Sequence, residues 1–155
     1  MKTRPQKGFT LLEILLVVAA IAILAGIVII AINPARQLGD TRNAQRRSDI
    51  LAIANALQQY QIKVGSLPTA LTLSSSLVCT DKTFNSQYGI CKQSAPSCTG
   101  TYLVNDLVNN YIVTIPVDPS STDANFSGYV AFKDANNHVY VCAPYAESAT
   151  ISVTR

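Results

Sequence analysis

Glu13 is the only charged residue in an otherwise apolar stretch that runs from Phe9 to Ile32. A carboxylate inside a membrane helix costs about 2.5–3.5 kcal/mol on insertion scales, and such residues usually have a partner. Cleavage after Gly8 would create one, because the new α-amino group of Phe9 would lie about one helical turn away. In a bundle of identical helices, Glu13 could pair with the Phe9 amine of a neighbour. The alternative is an interfacial Glu that the helix dipole and headgroup water tolerate.

The segment before this stretch, residues 1–8, is short, polar and basic. An ordinary secretory signal is cut at small residues after its apolar stretch. The small residues Ala20 and Ala22 fit that pattern, but they lie in the middle of the apolar stretch. Gly8, where the basic leader ends, is therefore the predicted cleavage position.

The four cysteines all follow the apolar stretch, at Cys79, Cys91, Cys98 and Cys142. An even number of cysteines in a small, weakly charged, exported domain predicts two disulfides. Three pairings are possible, and the sequence does not choose among them. A metal site is the weaker hypothesis, because no two cysteines have C-x2-C spacing and His138 is the only histidine.

Oxygen ligands of the kind that calcium prefers are available at Asp118, Asp123, Asp134 and Asn136. Their spacing matches no EF-hand loop, and Asp and Asn are common turn formers, so turn formation is their default role. No cofactor is otherwise predicted. The sequence offers no nucleophile–base pair, no phosphate-cradling glycine loop and no carboxylate dyad, so we predict that the chain is not an enzyme.

Composition bounds these possibilities. The 155 residues have room for about one domain, and 48% apolar with only 14% charged residues argues against a disordered chain. Residues 14–32 are 19 positions without a charge, about the length of a membrane-spanning helix. The net charge of +3 equals the contribution of the leader, since the rest has 9 basic and 9 acidic residues. No basic surface of the size that binds nucleic acid is therefore expected.

The periodicity of apolar residues predicts a long helix in the N-terminal part of the chain. Pro34 lacks a backbone donor and disfavours helix before it, so a kink is expected there in one helix from Phe9 to Lys63. Beyond Pro34, residues spaced i, i+3, i+4, i+7 form one stripe, and a Gly–Pro segment at 65–68 ends the helix. The stripe contains Ile50, Ile53, Ala54, Leu57, Tyr60, Gln61 and Val64, whereas Arg42, Arg46, Arg47, Asp49 and Gln58 fall largely elsewhere.

The remaining residues, 65–155, are predicted to form a small head. Residues 69–100 are rich in Ser, Thr and Cys and indicate a stapled loop region, and 103–111 suit a short amphipathic helix. Residues 129–133 and 138–142 are β-prone and flank a hairpin connection, and 150–154 could add a third strand. The expected fold class is α+β: a long N-terminal helix packed on a disulfide-stapled head with a short helix and about three antiparallel strands.

The basic leader, Gly8, Phe9, Glu13 and the apolar helix together resemble the type IV pilin and type II secretion pseudopilin superfamily. The resemblance is close over about residues 1–35 and holds in outline over the head. It implies that Gly26 and Pro34 are the helix-breaking residues, although many pilins place theirs somewhat differently. The segment at 115–119 also resembles the loop before the sheet of major pseudopilins, which carry calcium in the following loops.

The resemblance implies cleavage between Gly8 and Phe9 by a membrane aspartyl prepilin peptidase, which also methylates the Phe9 amine. Glu13 would govern methylation or subunit register. The implied partners are identical subunits in a helical filament, the prepilin peptidase, membrane lipid, a platform protein and an assembly ATPase, with no specific nucleic acid. The precursor would lie in the inner membrane and the product in an extracellular or periplasmic filament.

Four segments follow: a leader at 1–8, a membrane and polymerisation helix at 9–32, its amphipathic continuation at 33–64, and an exported head at 65–155.

The first hypothesis is a structural subunit of a type IV pilus-like filament for adhesion, motility or DNA uptake. The alternative is the major pseudopilin of a type II secretion-like system. A third possibility, from another class, is a single-pass anchored binding domain that never polymerises. Positive charges flank the apolar stretch on both sides, so orientation rests on the cysteines and the resemblance.

Overall fold

A computed structural model describes residues 8–74, 79, 87–95, 98–101 and 103–155. The chain divides into an N-terminal unit that ends at Leu38 and a second unit, Gly39–Arg155, called the head below. The N-terminal unit contains helix α1 (Leu11–Ile32) and the start of helix α2 (Pro34–Val64), which continues into the head.

The two helices are separate because of Asn33. Its backbone is left-handed, with φ 45° and ψ 79°, a conformation that asparagine tolerates better than most residues. Asn33 Oδ1 then accepts a hydrogen bond from the N–H of Arg36 at 3.3 Å and so caps the next helix, which Pro34 begins. The chain thus forms two helices where the sequence predicted one kinked helix. Gly26 lies inside α1 without interrupting it.

The head also contains a four-stranded antiparallel sheet with the strand order β1-β2-β3-β4. Three of the strands lie where the sequence predicted them. The fourth, β1, lies in the segment predicted as loop, and a strand of three residues is too short to be predicted from the sequence pattern. The predicted helix at 103–111 is shorter, a single turn followed by Asn109 at φ 65°. The elements are β1 (Gly89–Cys91), α3 (Val104–Leu107), β2 (Phe126–Lys133), β3 (Val139–Cys142) and β4 (Ser152–Thr154).

The predicted α+β fold class is confirmed, and so is the hairpin between β2 and β3. Their register pairs Val130 with Cys142 and Lys133 with Val139, and Asn137 supplies the left-handed residue of the turn. One face of the sheet packs against the apolar stripe of α2 in a single core. That core includes Ile50, Ile53, Leu57, Leu103, Leu107, Tyr129, Ala131 and Val141.

Candidate functional site

Helix α1 is apolar on every side. Among the described residues it is the one helix long and apolar enough to cross a bilayer. None of its residues is buried within the chain. A helix with this all-round apolar surface needs lipid or other helices around it. Its surface is therefore a contact surface for something outside the single subunit.

The start of α1 brings together three residues singled out in the sequence. Thr10 is the N-cap, and its Oγ1 accepts a hydrogen bond from the backbone N–H of Glu13 at 3.2 Å. Glu13 therefore lies in the first turn, where the positive end of the helix dipole favours a carboxylate. Gly8 and Phe9 precede the helix, and Phe9 is 80% exposed. The geometry places a predicted cleavage position directly before a capped helix whose first turn carries the acid.

A buried arginine, Arg46, lies on helix α2 in the head. The side chain of Arg46 is fully buried and makes a bidentate ion pair with Asp118, at 2.7 Å from Nε to Oδ2 and 3.0 Å from Nη2 to Oδ1. Arg46 also donates to Ser120 Oγ at 2.7 Å and to Asn43 Oδ1 at 3.0 Å. Bidentate arginine–carboxylate pairs are strong and directional. The pair joins α2 to the loop that precedes β2.

Gly128 in β2 makes this close approach possible. Its φ is +91°, and an added Cβ would lie 2.6 Å from Cβ of Asp118 and 3.0 Å from Cβ of Ser121. The N–H of Asp118 donates to the carbonyl of Ser127 at 2.8 Å, which holds the loop against the strand. Only glycine offers both the backbone conformation and the space at position 128.

The cluster extends to a second loop through Glu147. Its carboxylate accepts two hydrogen bonds from Arg42, at 2.5 and 2.7 Å, and one from Arg46 at 3.4 Å. Asn43 Nδ2 donates to the carbonyl of Glu147 at 2.7 Å, and the N–H of Glu147 donates back to Asn43 Oδ1 at 3.0 Å. We call Arg42, Asn43, Arg46, Asp118, Ser120 and Glu147 the arginine cluster. It fastens two loops, distant in sequence, to one helix.

The expectation that Arg46 lies off the buried stripe of α2 is wrong. The buried positions of α2 continue with alternating spacings of 4 and 3 residues toward its N-terminus. The buried residues in this N-terminal part are Gly or polar, so a search for apolar residues alone does not identify them as core. Spacing without regard to residue type would have found them. The buried positions in that series are Gly39, Asn43, Arg46, Ile50, Ile53 and Leu57. At the other end, the predicted stripe members Gln61 and Val64 are exposed.

The calcium candidates make protein contacts instead of one shared site. Asp118 is paired with Arg46, and Asp123 Oδ1 accepts from the backbone N–H groups of Asn125 and Phe126 at 2.7 and 2.9 Å. These backbone hydrogen bonds lower the pKa of Asp123. In the β2–β3 turn, Asp134 Oδ1 accepts from the N–H of Asn136 at 2.8 Å. Within the described part of the chain, no group of three His, Cys, Asp or Glu residues could hold a metal.

The four cysteines form two disulfides, as predicted, and the structure supplies the pairing that the sequence left open. Cys79 pairs with Cys142 across 63 residues, and Cys91 pairs with Cys98 across 7. The first connects Cys79 to β3, and the second closes a small loop at the end of β1. Three of the four cysteines are buried: Cys79, Cys91 and Cys142.

Glu147 makes the head sensitive to acid. Hydrogen bonds from Arg42 lower the pKa of Glu147 to about 2, well below the value of about 4.3 for an unpaired glutamate. The stabilisation from this carboxylate is therefore fully present above about pH 5 and is lost as the pH falls toward about 2. We expect Glu147→Gln to flatten the decline of the melting temperature over that range. An unchanged slope in thermal melts from pH 6 to pH 2 would contradict the ion pair.

Comparison with known proteins gives one family match and several relatives. The family model "Prokaryotic N-terminal methylation motif" matches residues 3–29. Type II secretion system core protein G of Escherichia coli strain K12 is 38% identical over 76 residues, 49% of this chain and 51% of that protein. The same-named protein of Aeromonas hydrophila is 38% identical over 69 residues, 44% of this chain and 47% of the relative. The chain thus spans about half the length of these relatives.

A longer match exists to type II secretion system core protein G of Klebsiella pneumoniae. It is 30% identical over 121 residues, which cover 76% of this chain and 71% of that protein. This match reaches well beyond the apolar helix into the head. No solved structure matches the chain at a comparable level of significance.

Proposed function

This chain belongs to the type II secretion system core protein G family, and from that premise we propose that it is the major pseudopilin of a type II secretion-like system. It is a pilin-like structural subunit and not an enzyme. The observation that carries the proposal is the 30% identity over 71% of a core protein G, beyond the shared N-terminal motif. The relatives thus favour the secretion alternative over the pilus fibre, which was the first hypothesis from the sequence.

The proposed assembly begins at the leader. Residues 1–8 are removed after Gly8, and Phe9 becomes an N-methylated terminus. The α1 helices of many copies then leave the lipid and pack together, so that their apolar surface is buried against like surface. Glu13 pairs with the terminal amine of a neighbour and sets the register, because an unpaired carboxylate in that core is costly.

The proposed location is the inner membrane, followed by a filament in the periplasm. Residues 9–32 anchor the precursor, residues 33–64 carry the second helix, α2, and residues 65–155 are exported as the outer part of the subunit. The proposed partners are other copies of the chain, a prepilin peptidase, a platform protein and an assembly ATPase. Two disulfides in the head support an oxidising compartment for it.

Intact-mass and peptide mass spectrometry of the protein from native cells tests the processing step. We expect a chain that starts at N-methylated Phe9. A chain that retains Met1 to Gly8, or one cut after Ala22, would contradict filament assembly and favour a single-pass anchored domain. Deleting the gene then separates the two filament types: a pseudopilin mutant loses protein secretion, whereas a pilin mutant loses surface fibres.

The variant Glu13→Gln tests the proposed register. Mass spectrometry measures the removal of its leader, and chemical cross-linking in membranes measures its assembly. We expect normal removal of residues 1–8, because the cleavage position is unchanged, together with loss of cross-linked multimers in membranes. Asp40→Asn is the matched control, since it neutralises an exposed carboxylate of α2 outside the apolar helix. Multimers of wild-type abundance in Glu13→Gln would contradict the proposed pairing.

A further inference from the structure

The two disulfides of the head are nested along the chain. The Cys91–Cys98 pair lies entirely within the 63-residue loop that Cys79 and Cys142 close. A chain that joined its cysteines in order would instead connect Cys79 to Cys91 and Cys98 to Cys142. The native pairing therefore requires that Cys79 bypass two cysteines that are nearer in sequence.

In an unfolded chain, the entropy of loop closure disfavours the pairing of Cys79 with Cys142. The probability that two residues meet falls with about the 3/2 power of their separation, so Cys79 meets Cys91 about 12 times as often as it meets Cys142. The short Cys91–Cys98 loop is favoured about twofold over the Cys79–Cys91 loop by the same scaling. Summed over all pairs, roughly two first disulfides in five are non-native. A chain reaches the native pairing without exchange only if its first disulfide is one of the two native ones, and Cys91–Cys98 is by far the more frequent of these.

The folded head cannot guide the early pairing, because Cys142 lies in β3, near the end of the chain. Cys91 lies in β1, which pairs with β2, and Cys142 joins the sheet only when β3 has arrived. When export keeps pace with synthesis, Cys142 follows Cys91 by about 3–10 s. Disulfide formation occurs on a timescale of seconds upward, so oxidation begins before the sheet can select partners.

Correction after folding is also blocked. Cys91 and Cys142 have no exposed surface, and Cys79 is only 5% exposed. Exchange needs a thiolate that reaches a disulfide sulfur, so the folded head protects the native pairs, and any non-native pair must be exchanged before the chain reaches this fold. The chain itself cannot supply a spare thiol, since all four cysteines are paired in the native state.

We infer that this subunit depends on a thiol–disulfide isomerase outside the inner membrane, in addition to a protein thiol oxidase. The oxidase disulfide accepts two electrons and two protons from each cysteine pair. For a chain that carries Cys79–Cys91 and Cys98–Cys142 bonds, the isomerase thiolate attacks the Cys79 sulfur and forms a mixed disulfide, and Cys91 leaves as a thiolate. The Cys91 thiolate then attacks Cys98 of the second disulfide and releases Cys142, which displaces the isomerase thiol from Cys79, so two disulfides become two native disulfides with no net oxidation. The inference rests on the proposed export of the head.

The test compares the unmodified full-length chain in two bacterial strains that differ only in their periplasmic disulfide isomerase. Thiols are alkylated within minutes of induction, and non-reducing peptide mapping quantifies each cysteine pair. With the isomerase we expect almost only Cys79–Cys142 and Cys91–Cys98. Without it, we expect non-native pairs, chiefly Cys79–Cys91, in roughly two chains of five.

Two double variants are the matched controls. Cys91→Ala/Cys98→Ala and Cys79→Ala/Cys142→Ala each leave one possible intramolecular pair, so their oxidation should not depend on the isomerase. Native pairing of the wild-type chain without the isomerase would overturn the inference and leave the proposed function intact. Four reduced cysteines in both strains would instead overturn the export of the head, and with it both proposals.

Discussion

Arg46→Ala is expected to lower the free energy of unfolding of the head by about 3–5 kcal/mol, the usual cost of removing one partner from a buried ion pair. The substitution leaves the carboxylate of Asp118 buried without its counter-charge, and it removes the donors to Ser120 and Asn43. The cost comes mainly from the unpaired charge rather than from lost packing. The affected contacts join α2 to a loop that lies 72 residues further along the chain.

Chemical unfolding of the full-length chain in detergent, followed by near-UV circular dichroism of the tyrosines, measures this loss. Arg47→Ala is the matched control, because Arg47 is the next residue of α2 and is exposed. We expect the control to change the unfolding free energy by less than about 0.5 kcal/mol. Equal effects of the two substitutions would show that the Arg46–Asp118 pair does not hold the loop.

A double variant separates charge from connectivity. Replacing both partners with apolar residues, as in Arg46→Met/Asp118→Leu, removes the unpaired charge and should recover more than half of the stability that Arg46→Ala loses. Failure to recover would indicate that the surrounding hydrogen bonds, and not the ion pair, carry the stabilisation.

Removal of the Cys79–Cys142 disulfide by Cys79→Ala/Cys142→Ala is expected to cost about 4 kcal/mol. The estimate follows from the loop entropy of the unfolded chain, which a cross-link across 63 residues restricts strongly. The Cys91–Cys98 disulfide closes a loop of only 7 residues, and its removal should cost about 2 kcal/mol by the same relation. The two double variants are thus controls for each other.

Denaturant midpoints of both variants under oxidising conditions, together with those of the fully reduced wild-type chain, measure the difference. The reduced chain should be less stable than either variant. A larger loss from the short loop than from the long one would contradict the entropic account. It would then point to packing around β1 as the source of stability.

The order of the elements could be predicted from the sequence because it depends on neighbours along the chain. The apolar run of α1, the Asn33–Pro34 interruption and the β-prone runs of β2 and β3 are local patterns. Each acts through backbone hydrogen bonds or through exposure of adjacent side chains. The short strand β1 escaped prediction because three residues carry too little pattern.

The sequence alone is sufficient for residues 1–32, where it gives a basic leader, an apolar helix with one acid, and the prediction of cleavage before Phe9. Its α+β head and its two disulfides were also predictable from periodicity and cysteine number. The choice of cysteine partners and the burial of Arg46 follow only from the folded structure. Both depend on residues far apart in the chain, such as Cys79 with Cys142 and Arg46 with Asp118. These contacts form between residues that are adjacent only in the folded chain, so no pattern along the sequence indicates them.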